Sequence, residues 1–291
     1  MPSSKHETAK KKSSGRARLT EFRAFYAKEM ACASGSTDPR FEQIFNSVRR
    51  EAFMPPGPWK VLVGDKYVET LSNDPRYLYQ NNLIALDAQK GINNGEPFLH
   101  ARWIGAVAPK AGETVTHIGA GTGYYSAILS MLVLPNGVVT AYEVDEKLAQ
   151  DAQRNLARLE KVTVVVGNAV SLPIPPSDIV YVNAGVVAPP EQWIDALRPG
   201  GRMIFPWRPT AKTAVAALVT HTASGFAFKP LMPAWFIPCF GASETTAMDM
   251  TPDTAGAWRT QSLHLKRDRA PNESATAIFE NVWFSSESLS N

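Results

Sequence analysis

Three glycines and one carboxylate are the residues of this chain whose types and spacing suit chemistry together. Gly119, Gly121 and Gly123 close the stretch HIGAGTG, with Ala120 between the first two, and Glu143 follows twenty residues after Gly123. Side chains at the glycine positions would hold a ligand away from the backbone, and some of these positions are expected to need φ > 0. A carboxylate at the end of the following strand can accept from both hydroxyls of a ribose, at about 1.5–3 kcal/mol for a charge-assisted contact. The alternative for Glu143, a solvated carboxylate at a strand end, is disfavoured by the spacing. A dinucleotide fingerprint, G-x-G-x-x-G, would set its third glycine at position 124, which is Tyr124.

The glycines fall instead as G-x-G-x-G, the pattern of S-adenosylmethionine-dependent methyltransferases, so S-adenosyl-L-methionine is the expected cofactor. Two further points lie along the chain. In Gly167-Asn168-Ala169, the Asn168 side-chain carbonyl could accept from an adenine amino group while Ala169 donates its backbone N–H to the ring; Gly-Asn is also ordinary turn chemistry. Asn183-Ala184-Gly185 falls where the methyl group should be delivered, with small residues leaving room for an acceptor. Asn183 reads equally well as a strand-end turn residue.

These residues need a strand, a turn and a helix to hold them. Thr114–Ile118 reads as a short buried strand and Tyr124–Leu132 as an apolar helix packed back on it. That arrangement sets backbone N–H groups and a helix N-terminus beside a ligand in the turn. Further strands are expected over 138–143, 162–166, 178–182 and 203–205, and helices over 146–159 and 190–197. Asp145 is the expected N-cap of the first of these helices, with Leu148, Ala152, Leu156 and Leu159 on one face. The alternation predicts an α/β fold with a doubly wound, Rossmann-like, mostly parallel sheet. Residues 214–221 and 226–231, joined by 222–225, predict an antiparallel hairpin at the sheet's end.

Upstream, residues 19–32 and 41–53 are helix-compatible. Phe41, Ile44, Phe45 and Val48 share a face of the second, Arg49, Arg50 and Glu51 are expected in water, and MPPGP (54–58) stops it. Residues 59–89 show no clear period, 90–97 read as a loop, and 98–107 as a helix. Near the C-terminus 235–238, 262–266 and 277–284 look strand-like. The expected organisation is a disordered basic tail (1–18), a helical and substrate-loop region (19–107), a methyltransferase core (108–241) and a C-terminal extension (242–291).

The 291 residues are 44% hydrophobic and 20% charged, ordinary for a soluble globular protein. The net charge of +3 comes largely from Lys5, Lys10, Lys11, Lys12, Arg16 and Arg18, so no nucleic-acid footprint is expected on the core. Two cysteines imply no disulfide framework and a reducing compartment. No apolar run reaches transmembrane length and the basic N-terminus has no apolar segment behind it, so a cytoplasmic protein without a membrane partner is expected. The scattered histidines and cysteines make no metal-ligand cluster.

Beyond the glycine turn, the chain resembles the protein-L-isoaspartate O-methyltransferase family. FNSVRREAFMPP (45–56) is similar to that family's helix ending in Arg-Glu-Ala-Phe-Val-Pro, and GINNGEPFLHARWIGAV (91–107) stands where the family has Gly-Gln-Thr-Ile-Ser-Gln-Pro-Tyr and a helix. Glu143 matches the family's ribose-binding glutamate. DALRPGGRMIFP (195–206) looks like its Leu-Lys-Pro-Gly-Gly-Arg-Leu-Val-Ile-Pro segment, and WFIPCFG (235–241) resembles its Phe-Val-Pro-Leu. The resemblance covers about residues 41 to 241. It implies methyl transfer to a nucleophilic oxygen, foremost a carboxylate, of a protein, peptide or small molecule.

Two positions depart from the family. Its loop carries Thr-Ile-Ser, whose hydroxyls help place the isoaspartyl carboxylate; aligned on Pro97, this chain has Asn93, Asn94 and Gly95, with the serine falling on Gly95. An ionised carboxylate needs no general base, so positioning is most of what the protein contributes. Asn93 and Asn94 could bond a carboxylate or amide, or form a polar turn; in the functional reading they border the acceptor with Gly95 and Asn183. His117 stands where the family has a glutamate that orients the methionyl amino group. An imidazolium would repel that ammonium, and a neutral histidine bonded to nearby backbone is the expected form. His100 reads as structural. These departures keep open a non-catalytic or regulatory protein that retains the fold and the cofactor site. A nicotinamide-dependent oxidoreductase is disfavoured by Tyr124 and the terminal hairpin.

Overall fold

The structure, a computed structural model, describes residues 4–244 and 248–289, with side chains from residue 18 onward. The chain forms two compact units, the first ending at Ala106 and the second beginning at Val107.

The first unit opens with α1 (Ser4–Ser34) and α2 (Arg40–Ser47). α1 runs through most of the segment expected to be disordered to Arg18; the Ala, Lys, Glu and Arg residues of that stretch are good helix formers. Residues 1–3 and the side chains of the basic run at 5–16 lie outside the described residues. Tyr26, Ala27 and Met30 of α1 are buried, with Tyr26 edge-on to Phe45 of α2.

The single helix expected over 41–53 breaks at Val48, which is extended, and resumes as a 3-10 turn over Arg50–Phe53. Arg50, expected in water, is fully buried. Its guanidinium donates to the carbonyls of Leu78, Gln80 and Asn82 at 2.5–3.2 Å. Five fixed donors can satisfy an irregular stretch that has no strand to pair with, and the neutral carbonyls replace water around the charge. The aperiodic segment 59–89 holds the hairpin β1 (Lys60–Val63) and β2 (Lys66–Glu69), then β3 (Ala85–Asp87), antiparallel to β4 (Ile92–Asn93). Trp59, Leu78 and Ile84 form a small core there. α3 (Pro97–Val107) follows.

The second unit contains, in chain order, β5 (Thr114–Ile118), α4 (Tyr124–Leu132), β6 (Val138–Glu143), α5 (Glu146–Leu156), β7 (Val162–Val166), β8 (Ser177–Val182), α6 (Glu191–Asp195) and β9 (Leu197–Trp207). Strands lie in the order β9-β8-β5-β6-β7, all parallel. β5 thus has the next strand of the chain on one side and the fourth on the other, which makes a switch point at its carboxyl end. β5 and β8 are buried along nearly their whole length, His117 and Thr116 of β5 included, as central strands of a parallel sheet are. Asp145 caps α5 as expected, its side chain accepting from the Leu148 N–H at 3.0 Å.

β10 (Val215–Thr222) and β11 (Gly225–Pro233) continue antiparallel from β9. Thr222 pairs with Gly225, so two residues turn the hairpin where four were expected. The sheet does not stop there. β12 (Met248–Met250), α7 (Thr254–Arg259), β13 (Ser262–Leu265), β14 (Ala275–Phe279) and β15 (Val282–Ser285) add four antiparallel strands in the order β11-β13-β15-β14-β12. The eleven-stranded sheet is therefore mixed, parallel through β9 and antiparallel beyond it. The expected strand over 277–284 is divided by an exposed turn at 280–281, and 235–238 is not a strand; only Pro238 bridges, to Gly185. Trp207 of β9 stacks on Phe284 of β15 with centroids 4.3 Å apart, and Phe228 of β11 meets both rings edge-on. That aromatic cluster makes the C-terminal strands part of the same core. No described helix is long and apolar enough to cross a membrane.

Candidate active site

The turn after β5 is built around left-handed backbone. Gly119, Gly121 and Gly123 have φ of 75°, 56° and 94°. At Gly123 a Cβ would also stand 2.7 Å from Leu156 Cδ1 on α5, so both the backbone and the packing exclude a side chain. The Gly119 and Ala120 N–H groups donate to the Tyr142 carbonyl at 2.9 and 3.0 Å, which ties the turn to β6.

Glu143, the last residue of β6, is 7% exposed. Its Oε2 accepts from the Gly121 N–H at 2.7 Å and its Oε1 from the Asp145 N–H at 2.9 Å. Burial pushes its carboxyl above the usual carboxylate range, against the pull of these backbone donors. Two oxygens with lone pairs to spare match the two donors of a ribose diol. The donor set and the glycine cradle therefore fit the nucleoside of S-adenosylmethionine.

His117 is fully buried in β5. Nδ1 lies 2.7 Å from Ser126 Oγ on α4, and Nε2 lies 2.8 Å from Asn183 Nδ2, just after β8. Tyr181 meets the ring edge-on at 5.4 Å. Burial pushes the imidazole down to about 3, so it is neutral. Its partners are side chains, where bonds to nearby backbone were expected. Ser126 was not singled out in the sequence; a serine inside an otherwise apolar helical stretch was the available signal. Asn183 Oδ1 is buried and has no hydrogen-bond partner.

Asn168 and Ala169 follow β7. Asn168 Oδ1 accepts from the Val170 N–H at 2.9 Å, while the Ala169 carbonyl accepts from Trp193 Nε1 at 2.9 Å and Gln192 Nε2 at 2.8 Å. The turn chemistry is present, and the Val170 N–H uses one of the two lone pairs of Oδ1.

Asn93, Asn94 and Gly95 belong to the first unit. Asn93 Oδ1 accepts from the Gly95 N–H at 3.0 Å, and Asn94 Oδ1 from the Ile84 N–H at 2.8 Å. Asn94 Nδ2 is buried without a partner. Gly95 has φ 73°, and a Cβ there would stand 2.1 Å from Nε2 of the buried His100. His100 thus fills the space a side chain at 95 would need. Gly95→Ser is expected to destabilise the fold by about 2–4 kcal/mol, combining left-handed strain with overpacking. Denaturant midpoints at unchanged slope measure it. Adding His100→Val should recover about half of the loss; no recovery would show that His100 is not the obstacle.

A parallel sheet reversing at β5, a glycine turn at the switch point and a buried carboxylate ending the next strand define a Rossmann-like methyltransferase. The chain belongs to the protein-L-isoaspartate(D-aspartate) O-methyltransferase family, whose model matches residues 63–244. The family is one of S-adenosylmethionine-dependent enzymes. Among curated relatives named protein-L-isoaspartate O-methyltransferase, that of Thermotoga maritima is 34% identical over 136 residues, which cover 45% of this chain and 43% of the relative. That of Ignicoccus hospitalis is 30% identical over 164 residues, covering 55% of this chain and 77% of the relative. A solved protein-L-isoaspartate O-methyltransferase superposes with a TM-score of 0.64 at 21% identity, over 89% of this chain and 86% of that one. A Plasmodium falciparum structure described under the same family name, in complex with S-adenosyl-L-homocysteine, gives 0.60 at 16% identity, over 75% and 97%. Both are likenesses of fold.

Proposed function

We propose that the chain binds S-adenosyl-L-methionine and methylates a carboxylate oxygen of a protein or peptide, with an isoaspartyl residue as the first acceptor to test. The observation that carries this reading is Glu143, buried beside a glycine turn at the switch point, with both oxygens already held by backbone donors. Family membership adds the reaction class. When bound, S-adenosylmethionine supplies a methyl on a sulfonium, whose C–S bond breaks as the acceptor oxygen forms its C–O bond.

The chain's own residues do the positioning. Gly119, Gly121 and Gly123 admit the ligand to the backbone, Glu143 accepts from the ribose, and Asn168 with Ala169 borders the adenine. An acceptor carboxylate is ionised at neutral pH and needs orientation rather than a base. Cys32 and Cys239 are both free, in keeping with a proposed reducing, cytoplasmic setting. A second reading, a cofactor-binding protein without isoaspartyl turnover, rests on Gly95, where His100 fills the place of a side chain.

The test is incubation with tritiated S-adenosylmethionine and either an isoaspartyl peptide or its aspartyl twin. Base-labile methyl ester on the isoaspartyl peptide alone supports the first reading. No ester on either, with S-adenosylhomocysteine still bound, favours the second.

A further inference from the structure

We propose that Asn183 binds the cofactor's amino-acid tail, its Oδ1 accepting from the α-ammonium, and that His117 is the positioning residue that aims it. This rests on reading the turn as a nucleoside site. The hydrogen-bond directions follow from which atoms carry lone pairs. An amide nitrogen carries hydrogens and no free lone pair, so at 2.8 Å Asn183 Nδ2 donates and His117 Nε2 accepts. The ring proton is then on Nδ1, where it is donated to Ser126 Oγ at 2.7 Å. Ser126, His117 and Asn183 form one directed chain that ends at the amide, and its other atom, Oδ1, is left buried and unpaired. Native folds leave few buried acceptors in that condition without reason.

The position of that acceptor points to its partner. The Asn183 N–H donates to the Ile118 carbonyl at 2.8 Å, and its Cβ would lie 3.5 Å from a Cβ on Gly119. Asn183 follows β8 and Glu143 ends β6, on opposite sides of β5. Two strand spacings separate them, roughly 10 Å. A ligand whose ribose lies on Glu143 and whose body crosses the turn carries its tail toward Asn183. A carbonyl dipole held by a neutral ring is an acceptor for an ammonium, whereas a protonated ring would meet the amide with N–H and turn the carbonyl away.

Calorimetry with two ligands separates this role from a structural one. S-adenosylhomocysteine carries the amino-acid tail; 5′-methylthioadenosine has the same nucleoside without it. Asn183→Leu is expected to weaken S-adenosylhomocysteine by about 10–30-fold, with methylthioadenosine within about 2-fold of wild type. His117→Leu should follow Asn183→Leu, while His117→Gln, which keeps an acceptor and a donor, stays within about 3-fold of wild type. Equal losses for both ligands, or no loss for S-adenosylhomocysteine, would overturn the proposal. Nitrogen-15 spectra of the wild type test it without a variant: the ring proton is expected on Nδ1, and a proton on Nε2 would reverse the amide and overturn it. Failure of the wild type to bind either ligand would instead refute the nucleoside site itself.

Discussion

Glu143→Ala is expected to lower the affinity for S-adenosylhomocysteine by about 100-fold or more, the loss of two charge-assisted contacts to a ribose diol. The side chain is buried at 7% exposure and its oxygens also hold the N–H groups of Gly121 and Asp145, so the substitution loosens the turn as well as removing the acceptor. Calorimetry on both proteins measures it; equal binding by both, or none by either, would sink the assignment. The raised carboxyl adds a pH signature. Only the ionised form accepts from both hydroxyls, so wild-type affinity should fall as pH drops through the raised Glu143 value, in a window that opens above the ordinary carboxylate range. The alanine variant should lack that dependence. Folding runs the other way: the folded state holds this proton more tightly than the unfolded chain, so this group's contribution to stability declines as pH rises through the same window.

The parallel half of the second unit was legible because its signals are local. β5 and α4 lie within the residues expected for them, and Asp145 caps α5, because an apolar run, a glycine turn and a capping side chain each act over a few residues. The antiparallel strands β12–β15 were not legible in the same way. Their register depends on partners far along the chain, such as Trp207 stacked on Phe284, and short apolar stretches do not declare which edge they will join. The left-handed glycine turn and the strand end at Glu143 could be read, but pairings through space could not. Arg50 looked like one of three wet charges until the carbonyls of residues 78–82 turned toward it. Gly95 showed a missing hydroxyl, yet nothing in its neighbourhood in the chain announced that the ring of His100 fills the space. His117 was visible as a departure; its partners Ser126 and Asn183 were set by how α4 and β8 pack on β5.

Folded stability is expected to fall as pH drops below about 6.5, with His117 supplying a large part of the loss. In the unfolded chain this imidazole takes a proton near 6.5, whereas burial in β5 holds that off until about 3. Between those values the unfolded state binds more protons, so stability rises with pH, by up to about 1.4 kcal/mol per unit from this one group. The contribution is fully present above the unfolded value and lost as pH falls toward the folded one. Carboxylates held down by arginines, such as Asp38 and Asp74, also lose stability in acid, so the informative quantity is a difference. Urea unfolding of wild type and His117→Gln should show the wild type losing about 2 kcal/mol more than the variant between about pH 7 and 5. Parallel curves would mean that the ring reaches water and protonates freely in the fold. Under the proposed placement of the cofactor's tail the same neutrality has a use: a charge on His117 would break the bond to Asn183 Nδ2 and oppose a cationic ligand, so the burial that makes the histidine a liability in acid would also keep the position compatible with one.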